Sequence, residues 1–157
     1  MNNNRKITRT SNLVLAATAM LFGTALSAQR LQPEQVPAPV KSAFDKAFSG
    51  AMDVEWDLKG TQYKVEFETG LFFTDHEAWY DATGQMLRHE EEIGASDLPA
   101  AVTAGINSEF AGYSVDDTER ITVGGVLSYV VELELKGQPD WKVAYDANGK
   151  QLQKQQE

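Results

Sequence analysis

The chain contains no cysteine and only two histidines among its 157 residues. Without cysteine there is no disulfide, no thiolate zinc site and no lipid-modified cysteine at an export cleavage point. Positive charge is also scarce: 14 Lys and Arg stand against 23 Asp and Glu, a net charge of −9. Nucleic acid is therefore not an expected partner, because neutralising phosphates needs a basic surface. The nucleophile elbow Gly-x-Ser-x-Gly, the phosphate-cradling glycine loop and the zinc motif His-Glu-x-x-His are all missing. Paired acids could serve glycoside hydrolysis only around a sugar-sized cleft, which a small sheet with one helix layer does not supply. No catalytic residue, cofactor or metal site is expected.

Long apolar runs are absent too, with one partial exception near the start. Arg5, Lys6 and Arg9 precede an apolar stretch over residues 13–26, and small residues follow at Ser27 and Ala28. A basic leader, an apolar stretch of about 7–15 residues and a small-residue site make a secretory signal peptide. A spanning helix needs about 20 apolar residues, and Thr18, Gly23 and Thr24 interrupt this run. The expectation is a signal peptide over 1–28, cleaved after Ala28 or alternatively after Ser27. The product would be periplasmic or secreted, with no stable membrane insertion. Losing three basic residues and no acid takes the charge from −9 to −12.

What remains says the same thing twice. Val36-Pro37-x-x-Val40-x-x-x-Phe44-x-x-x-Phe48-x-Gly50 returns as Leu98-Pro99-x-x-Val102-x-x-x-Ile106-x-x-x-Phe110-x-Gly112, 62 positions later. In each copy the apolar residues fall at helical spacing. Proline in the first turn is tolerated because its missing N–H would have had no helical partner. The period then changes from 3.6 to 2: Tyr63, Val65 and Phe67 alternate with Lys64, Glu66 and Glu68, and Tyr129, Val131, Leu133 and Leu135 alternate with Val130, Glu132, Glu134 and Lys136. Successive strand side chains point to opposite faces, so one face is apolar and the other acidic. That alternation belongs to antiparallel sheets covered on one side.

Further strands are expected near residues 54–58, 77–80 and 86–90, and in the second copy near 118–123, 141–145 and 150–153. Asp81-Ala82-Thr83-Gly84 and Asp146-Ala147-Asn148-Gly149 read as hairpin punctuation; neither supplies the alternating oxygens and terminal Glu of a calcium loop. Repeats of about 60 residues are marginal alone. The expected fold is thus α+β, two tandem repeats at 36–95 and 96–157, each one helix packed on a four-stranded antiparallel sheet, with the sheets continuous. Residues 29–35 are polar and proline-containing and read as a linker or tail.

These residues carry a family resemblance. The opening Val36-Pro37-Ala38-Pro39-Val40, the Phe48-Ser49-Gly50-Ala51 stretch ahead of Val54-Glu55-Trp56, the strand Tyr63-Lys64-Val65-Glu66-Phe67 and the turn Tyr80-Asp81-Ala82-Thr83-Gly84 resemble a PepSY-like, beta-lactamase-inhibitor-like periplasmic protein. The resemblance covers both copies and about four fifths of the chain. It implies the same helix-plus-four-strand fold, two sheets aligned into one, and no catalytic residues. The chain departs from the family pattern at Ser49 and Ala111, where proline is common, and at Thr118, which stands where the first copy has Trp56.

The sheet face opposite the helices is the expected functional surface. Alternation sends Lys64, Glu66, Glu68, Glu77, Trp79 and Arg88 to it from the first copy, and Val130, Glu132, Glu134 and Lys142 from the second. Trp79 is the expected anchor, since truncating an interface aromatic can cost about 2 kcal/mol or more; the bland alternative is that it packs within the molecule. The four glutamates could gather a basic partner or a cation, or be merely solvated. Outward positions differ between copies: Lys64 becomes Val130, Glu77 becomes Lys142 and Trp79 becomes Ala144. The two histidines, His76 and His89, would face each other diagonally if Tyr80 pairs with Leu87, but zinc needs three or four ligands, and Trp141 at the His76 position suggests space filling. The expected function is an exported, non-enzymatic binding or inhibitor-like module for a protein or peptide partner. The alternatives are a small-ligand or cation-binding protein and a structural or assembly protein.

Overall fold

The computed structural model describes residues 28–157. The expected leader therefore lies, except for Ala28, outside the described residues. The chain runs β1 (Ala28–Leu31), α1 (Ala38–Ala47), β2 (Met52–Lys59), β3 (Gln62–Thr69), β4 (Thr74–Tyr80), β5 (Met86–Glu92), α2 (Ala100–Glu109), β6 (Ser114–Val123), β7 (Val126–Glu134), β8 (Trp141–Asp146) and β9 (Gln151–Gln156). A 3₁₀ turn precedes each helix, at Pro33–Gln35 and Ala95–Asp97. All nine strands form one antiparallel sheet in sequence order. This is the expected α+β arrangement of helix followed by four strands, twice, with β5 pairing β6 to make the sheet continuous.

Residues 29–35 are not a free tail. Ala28 to Leu31 pair with Lys59 to Trp56 as a ninth strand, and Arg30 bridges Glu55 at 2.7 Å. Leu31 enters the core together with Val36 of the first repeat, so one apolar residue in a polar segment was the signal.

The helices start behind Pro37 and Pro99, which supply a preset φ where no helical donor is lost. Gly50, whose place just after the helical stripe suggests a stop, does not terminate α1: Ala47 ends it, and the Phe48 N–H donates to the Phe44 carbonyl at 2.8 Å. Each helix buries one stripe on the same face of the sheet. Val40 and Phe44 pack with Trp56, Val65, Phe67, Ala78 and Tyr80. Val102, Ile106 and Phe110 pack with Tyr129, Val131, Leu133, Val143 and Tyr145. The Phe44 ring stands edge-on to Trp56 and Phe67, with centroids 5.3 and 5.0 Å away. Fully burying a side chain of this class contributes about 1.5–3 kcal/mol, which lets a cysteine-free domain hold together. Thr118, buried at the Trp56 position, leaves the second core with less aromatic surface.

The two Asp-x-x-Gly turns tie the sheet to the helices. Asp81 Oδ1 accepts the Thr83 and Gln85 N–H groups at 2.8 and 3.0 Å, and Asp146 Oδ1 accepts those of Asn148 and Lys150 at 2.9 and 3.0 Å. One oxygen of each carboxylate therefore closes its hairpin. Gly84 has φ +87° and lies against α1, where a Cβ would come within 2.5 Å of the Pro39 carbonyl oxygen. Gly149 is closer still to the Ala101 carbonyl oxygen in α2. Each hairpin thus docks on the first turn of its helix.

Candidate functional site

The helix-free face is built from strand rows. Across β2 to β5 the pairing aligns Asp57, Lys64, Trp79 and Arg88 in one row and Glu55, Glu66, Glu77 and Glu90 in the next. A cation and an acid therefore sit two residues apart on β3, as Lys64 and Glu66, and on β5, as Arg88 and Glu90. Lys64 Nζ meets Glu66 at 2.7 Å and Glu77 at 2.8 Å, and Arg88 pairs with Glu90. Trp79 lies between the two cations, with Lys64 Nζ and the Arg88 guanidinium carbon each 5.2 Å from its ring centre. Such contacts contribute about 0.5–2 kcal/mol each, more as they lose water.

Burial sets the electrostatics. Lys64 keeps only 6% of its surface. Burial alone would lower its pKa, but hydrogen bonds with Glu66 and Glu77 hold it above the usual lysine value. Glu66 is correspondingly held down, chiefly by its bond to Lys64. Glu90 goes the other way: burial pushes it up to about 7 against the pull of Arg88. Glu119, reached from β6, is also raised by burial, with Lys142 opposing.

The second repeat supplies different chemistry at equivalent positions. Val130 is 1% exposed and packs with Ile121, Ala144, Val123 and Leu152 in an apolar cluster of its own. The expectation of an outward, accessible Val130 is corrected, because its neighbours on β6, β8 and β9 enclose it without any helix. Lys142 Nζ bonds Glu132 at 2.7 Å, and burial is again outweighed by that bond in raising the lysine.

The structure thus brings Lys64, Glu66, Glu77, Trp79 and Arg88 into one connected cluster and Glu132 with Lys142 into a second. Glu68 lies at the far end of the first, paired across the ladder with Asp75. Glu134 sits apart and exposed, its pKa raised mainly by Asp116. Lys64 and Trp79 are also less open than expected: one is buried and the other half-buried. Glu90 and Glu119 were missed, although alternation from Arg88 already points Glu90 to this face.

The histidines lie on the helix side. Ala78 pairs with His89 as expected, but a bulge between Trp79 and Tyr80 pairs Tyr80 with Met86 instead of Leu87. His76 stacks on Phe67 at 5.0 Å and on His89 at 5.4 Å, both nearly parallel. Its Nδ1 is 3.2 Å from His89 Nε2 and its Nε2 is 2.7 Å from the Thr69 hydroxyl. Burial lowers both pKa values, and His76 lowers that of His89 further. No group of three or more His, Asp or Glu side chains suited to a metal occurs among the described residues.

No helix among the described residues is long and apolar enough to cross a membrane. No curated protein matches the chain. Among solved structures, a BLIP-like protein from Bacteroides fragilis is similar with a TM-score of 0.65 and 23% identity, covering 80% of this chain and 87% of its own. A DUF2874 family protein from Bacteroides ovatus is similar with a TM-score of 0.67 and 18% identity, covering 76% and 86%. A protein from Bacteroides eggerthii described as "putative periplasmic" is similar with a TM-score of 0.69 and 17% identity, covering 77% and 88%. These likenesses concern the fold, and sequence adds the family: matched over residues 24–74 and again over 61–153, the chain belongs to the family described as "Putative beta-lactamase-inhibitor-like, PepSY-like".

Proposed function

We propose that this chain is an exported, non-enzymatic binding or inhibitor-like module that takes a protein or peptide partner on its helix-free sheet face. The observation that supports this most is the Lys64–Trp79–Arg88 stack. An aromatic ring held between two cations, each itself ion-paired, is a rigid amphipathic anchor on a face that both helices leave uncovered. Interfaces favour such aromatic and Arg side chains because they present large, preorganised area. The unequal second half, where Val130 is enclosed and the half-exposed Glu132–Lys142 pair replaces the Lys64–Trp79–Arg88 stack, makes the face asymmetric and so able to distinguish partners. Family membership and the fold likeness to a BLIP-like protein agree with an inhibitor-like role, but fold alone does not carry function. The periplasmic description of the Bacteroides eggerthii protein and the signal-peptide pattern of residues 1–28 support export, with residues 29–157, including the repeats at 36–95 and 96–157, as the mature chain.

The test is capture of a partner from periplasmic extract by the immobilised chain. The triple variant Trp79→Ala, Glu66→Lys, Glu132→Lys loses that partner on this reading. Capture unaltered in the variant overturns it and makes these residues packing alone.

A further inference from the structure

A second surface lies at the end of the sheet. Seven large apolar residues are exposed among those described, and five of them, Met52, Val54, Leu71, Phe72 and Phe73, gather where β2 begins and the β3–β4 hairpin turns. At the hairpin tip Leu71 is 90% and Phe72 93% exposed. Single exposed apolar residues need no explanation, whereas a contiguous group marks an interaction site.

The chain supplies its own control. The equivalent β7–β8 hairpin of the second repeat carries Lys136, Gly137, Gln138, Pro139 and Asp140, and its backbone is held by a Gln138 N–H bond to the Leu135 carbonyl and by the Tyr113 hydroxyl on Pro139. Its one left-handed residue is Gly137. In the first repeat Phe73 has φ +54°, an uncommon conformation for a bulky L residue. Solubility and backbone ease would both be served by the second hairpin's residues, so the first hairpin departs from its twin in the direction of exposed aromatic surface and strain. Strain of this kind concentrates at functional sites.

Charge selects the occupant. The recess beside the tip is lined by Asp53, Glu55, Glu66, Glu68, Asp75 and Glu77 and by no Lys or Arg; of the cations at its margin, Arg30 is already held by Glu55 and Lys64 by Glu66 and Glu77, which leaves the acids in excess. An anionic bilayer and a second copy of this acidic chain would both be repelled. We infer that the Leu71-Phe72-Phe73 tip inserts into an apolar pocket of another protein whose rim carries Lys and Arg. This goes beyond the proposed face, since the tip is a separate anchor with its own apolar chemistry.

The test places a photoreactive phenylalanine analogue in the full chain at Phe72, at Trp79 and, as a control, at exposed Gln62, and identifies adducts by mass spectrometry after irradiation in cells. The expected result is a protein adduct at position 72 whose attached segment lies in a basic surface. The purified adduct partner should then bind Leu71→Ser/Phe72→Ser about 30-fold or more weakly and Glu68→Lys/Asp75→Lys more weakly still at low salt than at high salt. Both variants alter exposed or half-exposed positions, and an unchanged melting temperature confirms that they fold. No adduct at 72, a lipid adduct, a self-adduct, or a partner indifferent to the tip variant overturns the inference. An adduct at 79 with none at 72 overturns it while sparing the proposed face; the reverse outcome does the opposite.

Discussion

Gly84 and Gly112 allow the docking of hairpin on helix to be weighed against backbone conformation. Their φ angles are nearly equal, +87° and +91°, so replacing either by alanine forces the same unfavourable backbone on an L residue. That part costs about 1–2 kcal/mol. Their surroundings differ: around Gly112 nothing lies within 4 Å of a new Cβ, whereas at Gly84 it would come within 2.5 Å of the Pro39 carbonyl oxygen and 3.4 Å of the Ala43 Cβ. A backbone oxygen in the first turn of α1 cannot swing aside as a side chain could. Either the hairpin lifts off α1 or the helix shifts on Val40 and Phe44, and overpacking of this sort adds about 1–3 kcal/mol. Gly112→Ala is therefore expected to lose about 1–2 kcal/mol and Gly84→Ala about 2–5 kcal/mol. Urea unfolding followed by tryptophan fluorescence measures both, with Trp56 in the core beneath α1 as reporter. Equal losses in the two variants would refute the claim that this hairpin is seated on the helix.

Other expectations follow from the charged face and the histidine pair. Trp79→Ala should lose about 2 kcal/mol of stability through its two cation contacts, and Trp79→Phe less; urea midpoints decide, and a neutral Trp79→Ala would mean that the stack does not hold in solution. Glu90, with a pKa raised by burial from 4.5 to about 7, keeps its proton in the folded state where the unfolded chain has lost it. Its contribution is complete below about pH 4.5 and disappears as pH rises through 7, a change of up to about 3 kcal/mol. Glu90→Gln should flatten that limb of the stability–pH curve, and an unchanged limb would assign the slope elsewhere. His76 and His89 are lowered by burial, so their contribution is present above about pH 6.5 and is lost as pH falls through their depressed folded values; proton NMR titration of the two rings should show both below the ordinary histidine value. Calorimetric titration with calcium and zinc should give no heat, and a saturable signal would revive the cation-binding alternative.

Much of this architecture was legible in the chain because it rests on local regularities. Helical spacing from Val40 to Phe48 and from Val102 to Phe110, alternation through Val65 and Val131, and Asp-x-x-Gly punctuation are properties of a few neighbouring residues and the backbone they share. Repetition then determined the order of elements and which face of each strand meets a helix. The same alternation assigned Lys64, Glu66, Glu77, Trp79 and Arg88 correctly to one face.

How deeply each residue sits was decided elsewhere. Val130 is enclosed because Ile121 and Ala144 arrive from other strands, and Lys64 is covered within a stack whose partners come from β4 and β5. The capture of residues 28–31 as β1 depends on pairing with a distant segment, and the bulge at Tyr80 on the register that the β4–β5 hairpin adopts. Sequence by itself determined a duplicated α+β chain with an acidic, helix-free face. Only the tertiary structure turned Asp81 and Gly84 from hairpin residues into a clamp on α1, made two histidines a stacked pair, and left Leu71, Phe72 and Phe73 exposed at the end of the sheet, because burial and proximity belong to the assembled neighbours rather than to the local chain.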